Sequence, residues 1–232
     1  MSVVELTLLL LALLAVLTSF GKSTAKTRQS GSEADYCKMY DSLVYDPAAA
    51  ELERELLSRV VDPEATVLEV GCRTGRVSGW LNAETVGVDE SKEMVAVART
   101  KYPDKTFMVG DVLKRTTFRP DTFTHVLCFR VYCCSEKLLL FQHCFYWLKA
   151  KGRLVVQVND PTNSDYNGTY KGTHKGEVVG NVYRERLECG GKRITRESQY
   201  YPEANLQKLV EMAGFALVES NGPFLVFVKK DF

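Results

Sequence analysis

Between residues 46 and 158, short runs of β-branched and other apolar residues alternate with longer segments whose apolar residues recur at helical spacing. The short runs predict buried strands, and the longer segments predict helices that pack on them. Strands that alternate with helices are joined by right-handed crossovers, which gives a parallel sheet covered on both faces. The pattern therefore predicts a doubly wound α/β fold, with strands at 66–70, 84–89, 106–111, 122–129 and 153–158.

Capping residues predict where several helices begin. Asp46-Pro47 is a favourable N-cap and first-turn pair for the first helix. Ser91 is expected to cap the helix after the second strand, and Ser135 to open a helix that runs to Lys149 and is ended by Lys151-Gly152. Helical spacing predicts the buried stripe of the first helix at Leu52, Leu56, Leu57 and Val60.

The stretch 181–201 has no helical stripe and centres on Gly190-Gly191, a dipeptide that suits the positive φ angles of a tight hairpin turn. With those glycines as the loop, the register pairs opposite charges and apolar residues, which stabilises a hairpin by up to ~1 kcal/mol per pair. The alternative is a chance pattern in a charge-rich stretch. The expected pairs are Glu188 with Arg193, Glu185 with Arg196, Arg184 with Glu197 and Leu187 with Ile194.

The C-terminal residues predict a helix followed by two strands. Pro202 begins the helix and Gly214 ends it. The strands, at 215–220 and 224–230, are joined by a turn at Asn221-Gly222 and are expected to close the sheet as an antiparallel pair.

The N-terminal segment 1–20 is predicted to be a signal-anchor or a signal peptide, because Val3 to Phe20 contains one charge. Its length suits a short membrane span or a signal peptide. Basic residues follow the run and none precedes it, which favours an anchor with the remaining chain in the cytosol. Cleavage in the secretory pathway stays the alternative. Residues 21–35 are polar and predict a flexible linker, which leaves 36–232 as the folded domain.

The charge balance gives no support for nucleic-acid binding. Lys and Arg number 30 against 29 Asp and Glu, whereas a protein that follows a phosphate backbone needs a basic surplus. The seven cysteines include no C-x-x-C pair, so neither a structural zinc site nor a regular disulfide framework is expected, and no metal is predicted. A reducing compartment is the simpler inference.

The segment most informative about chemistry is 67–75, in which a strand runs directly into Gly71 and Gly75. Glycines there let a ligand approach the backbone, and the following helix offers free N–H groups. The dinucleotide fingerprint needs glycines at relative positions 1, 3 and 6, but residues 73 and 76 are both arginine. A nicotinamide-dependent reductase is therefore disfavoured.

The segment instead resembles the first motif of the class I S-adenosylmethionine-dependent methyltransferases. Glu69, Gly71 and Gly75 match that motif, while Arg73 replaces its middle glycine; Asp89 and Asp111 end the next two strands. The resemblance covers residues 36 to 230 and implies a Rossmann-like, mostly parallel seven-stranded sheet with an antiparallel C-terminal strand and a β-hairpin insertion after strand five. The cofactor-binding residues that it implies are Glu69, Gly71, Cys72, Arg73, Gly75, Asp89, Glu90, Asp111, Val112 and Phe129.

The family's roles map onto individual positions. Asp89 is where the family places a carboxylate on the ribose hydroxyls, Asp111 is where it places an acidic residue beside the adenine, and Phe129 lies on the methionine side. Arg73 either blocks the cofactor or pairs with its methionine carboxylate. Tyr36, Tyr40 and Tyr45 fall where the family often folds a lid.

The resemblance implies transfer of a methyl group from S-adenosylmethionine to a small or lipophilic acceptor. Such a reaction runs largely on positioning, so no catalytic base is assigned. His125 and His143 are interpreted as structural, and His174 as an exposed loop residue. The non-enzymatic alternative is a degenerate methyltransferase fold that acts as a binding or scaffold module.

Overall fold

The helices and strands come from a computed structural model that describes residues 28–30, 36–37, 40–41, 47–129, 136–158, 173–180, 182–189 and 191–231. The helices are α1 (Pro47–Val60), α2 (Arg76–Trp80), α3 (Lys92–Lys101), α4 (Lys137–Trp147) and α5 (Glu203–Met212). The strands are β1 (Arg28–Ser30), β2 (Thr66–Val70), β3 (Glu84–Asp89), β4 (Thr106–Val109), β5 (Phe123–Cys128), β6 (Leu148–Gln157), β7 (Thr173–Val179), β8 (Val182–Cys189), β9 (Lys192–Gln199), β10 (Phe215–Asn221) and β11 (Phe224–Lys229).

Among the described residues, seven strands form the main sheet in the order β10-β11-β6-β5-β2-β3-β4. Strands β2 to β6 are parallel, and β11 runs antiparallel to β6 and β10. The predicted doubly wound, mostly parallel fold is confirmed. The chain moves outward from β2 to β4 on one side and returns to β5 on the other. Ligands of such sheets bind at this switch point, outside the carboxyl ends of the strands.

Apolar residues cover both faces of the main sheet, as the alternation predicted. Neighbouring positions of β2 point to opposite faces, so Val67 packs beneath α1 and α2 while Leu68 packs beneath α4 and α5. Both side chains are fully buried. Burial of a leucine-sized side chain stabilises a fold by about 1.5–3 kcal/mol. The centre of the sheet is therefore a rigid base for the loops at its edge.

Helix α1 presents a different stripe from the predicted one. Leu56, Leu57 and Val60 are buried, but Leu52 is 50% exposed and the neighbouring Glu53 is fully buried. Glu53 is tolerated there because it is paired: Arg76 Nη1 lies 2.8 Å from its Oε2, and Gln157 Nε2 donates to its Oε1 at 3.2 Å. The prediction for Leu52 was wrong because apolar spacing alone does not detect a paired carboxylate.

A second, antiparallel sheet has the order β1-β9-β8-β7 in the described part of the chain. The hairpin of β8 and β9 has the predicted register, with all four expected pairs opposite each other. Arg184 Nε lies 2.8 Å from Glu197 Oε1, and Arg193 Nε lies 2.6 Å from Glu188 Oε1. Two of its strands were not predicted: β1 falls in the stretch interpreted as a linker, and β7 in a stretch interpreted as a loop.

The junction of α4 and β6 also differs from its prediction. The helix ends at Trp147, and β6 begins at once with Leu148, which pairs with Phe123 of β5. Lys149 is therefore in a strand, and Lys151 has a φ of 58° where the ladder shifts register. Leu148 is completely buried, so sheet pairing and burial end the helix earlier than its apolar spacing suggested. Ser135 lies outside the described residues.

The remaining caps and the C-terminal elements follow the sequence. Ser91 Oγ accepts a hydrogen bond from Met94 N at 3.2 Å, as expected of an N-cap. Helix α5 and strands β10 and β11 lie where they were predicted, and Gly222 in the turn has a φ of 54°.

The predicted membrane anchor over residues 1–20 lies outside the described residues. In the part of the chain that the structure describes, none of the helices has the length and hydropathy to cross a bilayer.

Candidate functional site

The carboxyl ends of β2, β3 and β4 form one continuous edge, and backbone hydrogen bonds connect their loops. Gly71 N and Cys72 N donate to the Val88 carbonyl at 2.8 and 3.0 Å. Gly110 N donates to the Asp89 carbonyl at 3.0 Å. The loop after β2, Asp89 and Asp111 are therefore held side by side, as their positions after parallel strands predicted.

The loop after β2 has a left-handed backbone at three alternate positions. The φ angles are 71° at Gly71, 50° at Arg73 and 77° at Gly75. Gly75 also needs to be glycine because a Cβ there would lie 2.6 Å from the Phe107 ring. Arg73 keeps the backbone of a glycine although a side chain in that region costs about 1–2 kcal/mol. The loop therefore has a glycine-type path throughout, including the arginine position.

Asp89 is oriented by two backbone donors. Arg73 N donates to its Oδ2 at 2.9 Å, and Ser91 N donates to its Oδ1 at 2.9 Å. A carboxylate has about four acceptor positions on its two oxygens, so two N–H groups fix its direction and leave acceptor capacity for a ligand. Asp89 is half-buried at the sheet edge, where a hydroxyl-bearing ligand can approach it.

Asp111 and Glu90 add negative charge beside Asp89. Asp111 Oδ1 accepts from Leu113 N at 2.8 Å, which shapes the loop after β4. Partial desolvation raises the pKa of the Glu90 carboxyl, and the nearby charges of Asp111 and Asp89 raise it further. This part of the edge consequently favours a ligand that donates hydrogen bonds.

Glu69 is buried beneath the loop and is used by the fold. It is 4% exposed, and its Oε2 accepts from Ser78 N at 2.8 Å and from the Ser78 hydroxyl. The carboxylate thereby satisfies a free N–H in the first turn of α2, which has no side-chain cap of its own. Burial raises the pKa of Glu69 to about 7, against the opposing effect of the Ser78 hydrogen bonds. Glu69 thus orients α2 behind the site.

Three further residues predicted to bind the cofactor are packed in or against the core. Cys72 is 3% exposed and packs against Val95 and Phe107, and burial raises the pKa of its thiol. Phe129 is 4% exposed, with its ring centroid 5.5 Å from that of Phe224. Val112 is partly buried, and its carbonyl lies 3.0 Å from His143 Nδ1. Their backbones lie at the ligand edge, and their cofactor-binding roles stay predictions.

A short helical segment, here named the cap segment and comprising residues 36–37 and 40–41, lies against the glycine loop. Arg73 Nη1 donates to the Tyr40 hydroxyl at 2.6 Å, and the guanidinium carbon lies 5.2 Å from the Tyr40 ring centroid. Thr74 Oγ1 donates to Asp41 Oδ1 at 2.6 Å, and Lys101 Nζ lies 2.8 Å from Asp41 Oδ2. These residues connect the cap segment to the loop.

The cap segment also contacts the second sheet. Tyr36, Cys37 and Tyr40 form a buried cluster with Met94 of α3 and Ile194 of β9. Of the tyrosines predicted at a lid, Tyr40 contacts the loop, Tyr36 packs against Tyr40 with ring centroids 5.6 Å apart, and Tyr45 lies outside the described residues. Sequence reasoning missed Asp41 and Ser78, because a single polar residue far along the chain carries no signal of its partner.

The histidines take structural positions where their side chains are described. His125 is 7% exposed in β5, and burial lowers its pKa. His143 contacts the Val112 carbonyl and lies 5.7 Å from the Trp147 ring centroid. His174 is on β7 and not in a loop.

The centre of the chain is similar to a known protein family. Residues 68–156 match a family profile described as "Methyltransferase domain". This part of the chain is similar to methyltransferase domains. It contains every residue predicted to bind the cofactor, from Glu69 to Phe129. A curated relative, trans-aconitate 2-methyltransferase of Azoarcus sp. (strain BH72), is 42% identical over 65 residues, which is 25% of this chain and 26% of the relative.

Solved structures of methyltransferases share the fold of this chain. A sugar N-methyltransferase from Streptoalloteichus sp. ATCC 53650 has a TM-score of 0.66 and 17% identity, covering 84% of this chain and 93% of its own. An S-adenosylmethionine-dependent methyltransferase from Clostridium acetobutylicum ATCC 824 has a TM-score of 0.60 and 16% identity, covering 84% and 97%. The predicted resemblance to class I methyltransferases is confirmed for the fold, and residues 68–156 match a methyltransferase profile.

Proposed function

We propose that the protein transfers the methyl group of S-adenosylmethionine to a small or lipophilic acceptor. The observation that carries the proposal is the oriented Asp89 carboxylate at the switch point, next to a loop with glycine-type backbone at residues 71, 73 and 75. The match of residues 68–156 to a methyltransferase domain supports the same activity.

The donor set of the edge fits this cofactor. When bound, S-adenosylmethionine supplies a methyl group on a positively charged sulfur, which a nucleophilic nitrogen, oxygen or sulfur accepts. We assign Asp89 to the ribose hydroxyls and the loop at Asp111 and Val112 to the adenine. The acidic edge at Glu90 suits a cationic ligand. The chain then contributes mainly by holding two reactants in line, which removes much of the entropic barrier.

A small acceptor is supported by the names of similar proteins and by charge. The names specify trans-aconitate for the curated relative and a sugar for the structural neighbour. The net charge of +1 offers no basic field for nucleic acid. We place the acceptor beneath the second sheet, which contacts the cap segment through Ile194.

The cofactor assignment is tested by calorimetric titration of the full chain and its Asp89→Asn variant with S-adenosylhomocysteine. We expect binding to weaken ~10-fold or more in the variant, since it loses a charge-assisted acceptor. Asp104→Asn, at a carboxylate that is 74% exposed beyond α3, is the matched control and should bind like the wild type. Equal affinity in all three proteins would overturn the assignment. A thermal-shift titration separates the alternatives. A melting temperature that rises with NADH alone would favour a reductase, and one that rises with neither NADH nor S-adenosylhomocysteine would favour a scaffold.

The acceptor class is tested with methyl-labelled S-adenosylmethionine and a cell extract separated into organic-soluble, aqueous small-molecule and macromolecular fractions. Label in either small-molecule fraction supports the proposal, and the organic fraction would identify a lipophilic acceptor. Label confined to protein or nucleic acid would contradict it.

For localisation, we propose that residues 1–20 anchor the protein in a membrane with the remaining chain in the cytosol. The support is the apolar run from Val3 to Phe20 with basic residues only after it. Alkaline extraction of membranes should leave the full chain in the pellet with an intact N-terminus. A shortened N-terminus would indicate signal cleavage.

A further inference from the structure

Arg73 occupies the position at which the glycine loop departs from the motif it resembles, and its backbone is unfavourable for an arginine. Its φ of 50° lies in the region that glycine adopts without cost. Glycine would restore both the motif and the relaxed backbone. We therefore expect contacts of the arginine side chain to offset this local strain.

The Arg73 side chain is directed at the cap segment. Its Nη1 donates to the Tyr40 hydroxyl at 2.6 Å, and its guanidinium carbon lies 5.2 Å from the ring centroid, a distance that permits a cation–π contact. Tyr40 is 6% exposed and Arg73 is half-buried, so both contacts are partly shielded from water. Charge-assisted hydrogen bonds in such surroundings are among the stronger ones in proteins.

A second connection joins the same two segments one residue further along. Asp41 accepts from the Thr74 hydroxyl at 2.6 Å and pairs with Lys101 of α3 at 2.8 Å. Residues 40 and 41 thus each contact one residue of the loop, at 73 and 74. The backbone N–H of Arg73 meanwhile holds the Asp89 carboxylate. One arginine therefore links the proposed ribose acceptor, through its backbone, to the cap segment, through its side chain.

We propose that Arg73 is a positioning residue that fastens the cap segment over the cofactor loop through Tyr40, so that a bound cofactor leaves only after this contact opens. The inference rests on the proposed function, because it assumes that the cofactor binds at Asp89. It assigns to Arg73 neither blockage of the site nor a catalytic step. The second sheet is coupled to the contact through Ile194, which packs in the cluster that contains Tyr40.

Dissociation of S-adenosylhomocysteine, measured by surface plasmon resonance on the full chain, tests the inference. Arg73→Gly should accelerate dissociation about 10-fold to 100-fold, the change expected when a charge-assisted contact is lost. Arg73→Lys keeps a hydrogen-bond donor but loses the planar guanidinium, so its dissociation rate should lie between those of the wild type and Arg73→Gly. Tyr40→Phe should also accelerate dissociation, and it should add little to Arg73→Gly, because both variants remove the same contact.

Lys151→Gly is the matched control. It also replaces a residue with positive φ, 58°, by glycine, but Lys151 precedes Arg153 in β6 and lies toward the amino ends of the parallel strands, opposite the loop. Lys151→Gly should keep or raise the melting temperature, because glycine relieves the positive φ. In Arg73→Gly the relief of backbone strain opposes the loss of the Tyr40 contact, so its melting temperature should stay close to that of the wild type, and faster dissociation would then not reflect misfolding. Unchanged dissociation from Arg73→Gly would overturn the inference, and slower dissociation or tighter binding would show that the arginine obstructs the site.

Amide hydrogen exchange without ligand separates this inference from the proposed function. Arg73→Gly should accelerate exchange in the cap segment at least several-fold, while Lys151→Gly should not. If the wild type binds no S-adenosylhomocysteine, the proposed function fails and the gating of release fails with it. In that case, faster exchange in Arg73→Gly would still support the role of Arg73 in fastening the cap segment. Unchanged exchange in Arg73→Gly would overturn that role as well.

Discussion

The two sheets of this protein hold together by different means. In the main sheet, Val67, Leu68 and Val70 of β2 are at most 1% exposed and pack beneath helices on both faces. In the hairpin of the second sheet, half-exposed ion pairs such as Arg184–Glu197 line the strands, and Ile194 is a buried apolar contact with the cap segment. Burial stabilises strongly and exposed ion pairs stabilise little. We therefore expect the main sheet to be rigid and the second sheet with the cap segment to open at lower free energy.

The largest expected effects come from truncation of one buried residue in each region. Leu68→Ala should lower the free energy of unfolding by about 2–5 kcal/mol, because it leaves a cavity at the centre of the main sheet.

Ile194→Ala should instead accelerate hydrogen exchange in β8, β9 and the cap segment while exchange in β2 to β6 keeps its wild-type rate. Denaturant unfolding combined with exchange measures both. Equal loss of protection in the two sheets after Ile194→Ala would show one cooperative unit and remove the contrast.

The next effect concerns pH and the buried carboxyl of the main sheet. Burial raises the pKa of Glu69 to about 7, above the ordinary value of 4.5. Between these values the folded form keeps a proton that the unfolded form releases, so stability should fall by up to ~3 kcal/mol as the pH rises through this window and then level off. Glu69→Gln should flatten this dependence, as measured by urea unfolding from pH 4.5 to 8. Glu84→Gln, at an exposed position of β3, is the control and should keep the slope. A wild-type slope in Glu69→Gln would contradict the assignment.

The smallest effect is expected at the ion pairs of the second sheet. A double-mutant cycle on Arg184 and Glu197, whose side chains are 50% and 39% exposed, should give a coupling of roughly 0.2–1 kcal/mol that decreases with salt. The pair Arg54 and Glu51, separated by 3.9 Å on α1, should give less. A coupling well above 1 kcal/mol in the hairpin would mean that its charges contribute to stability as buried contacts do.

Much of the main sheet was predictable because its signals are local. Apolar runs mark β2, β3 and β5, and the glycines after β2 require positive φ at positions that the sequence identifies. The hairpin register was predictable for the same reason, since a Gly-Gly turn and opposed charges lie within a few residues of each other.

The rest depended on partners that are distant in sequence. Glu53 is buried where Leu52 was expected, because Arg76 and Gln157 pair with it. Tyr40 and Asp41 meet residues 73 and 74 across a separation that no periodicity spans. The positions of Asp89 and Asp111 followed from strand order, whereas the connection between the cap segment and the loop is made only in the tertiary fold.

Strand β1 has a consequence for the order in which the molecule assembles. Arg28 pairs with Glu197 and Ser30 with Thr195, so a strand near the start of the chain obtains its partner only after β9 has been synthesised. Closing so long a loop costs more conformational entropy than local pairing and is slower. During synthesis, α1 and strands β2 to β5 emerge long before β9, so their local contacts can begin to form while β1 has no partner. The second sheet is therefore expected to be completed last, and its first strand to wait longest.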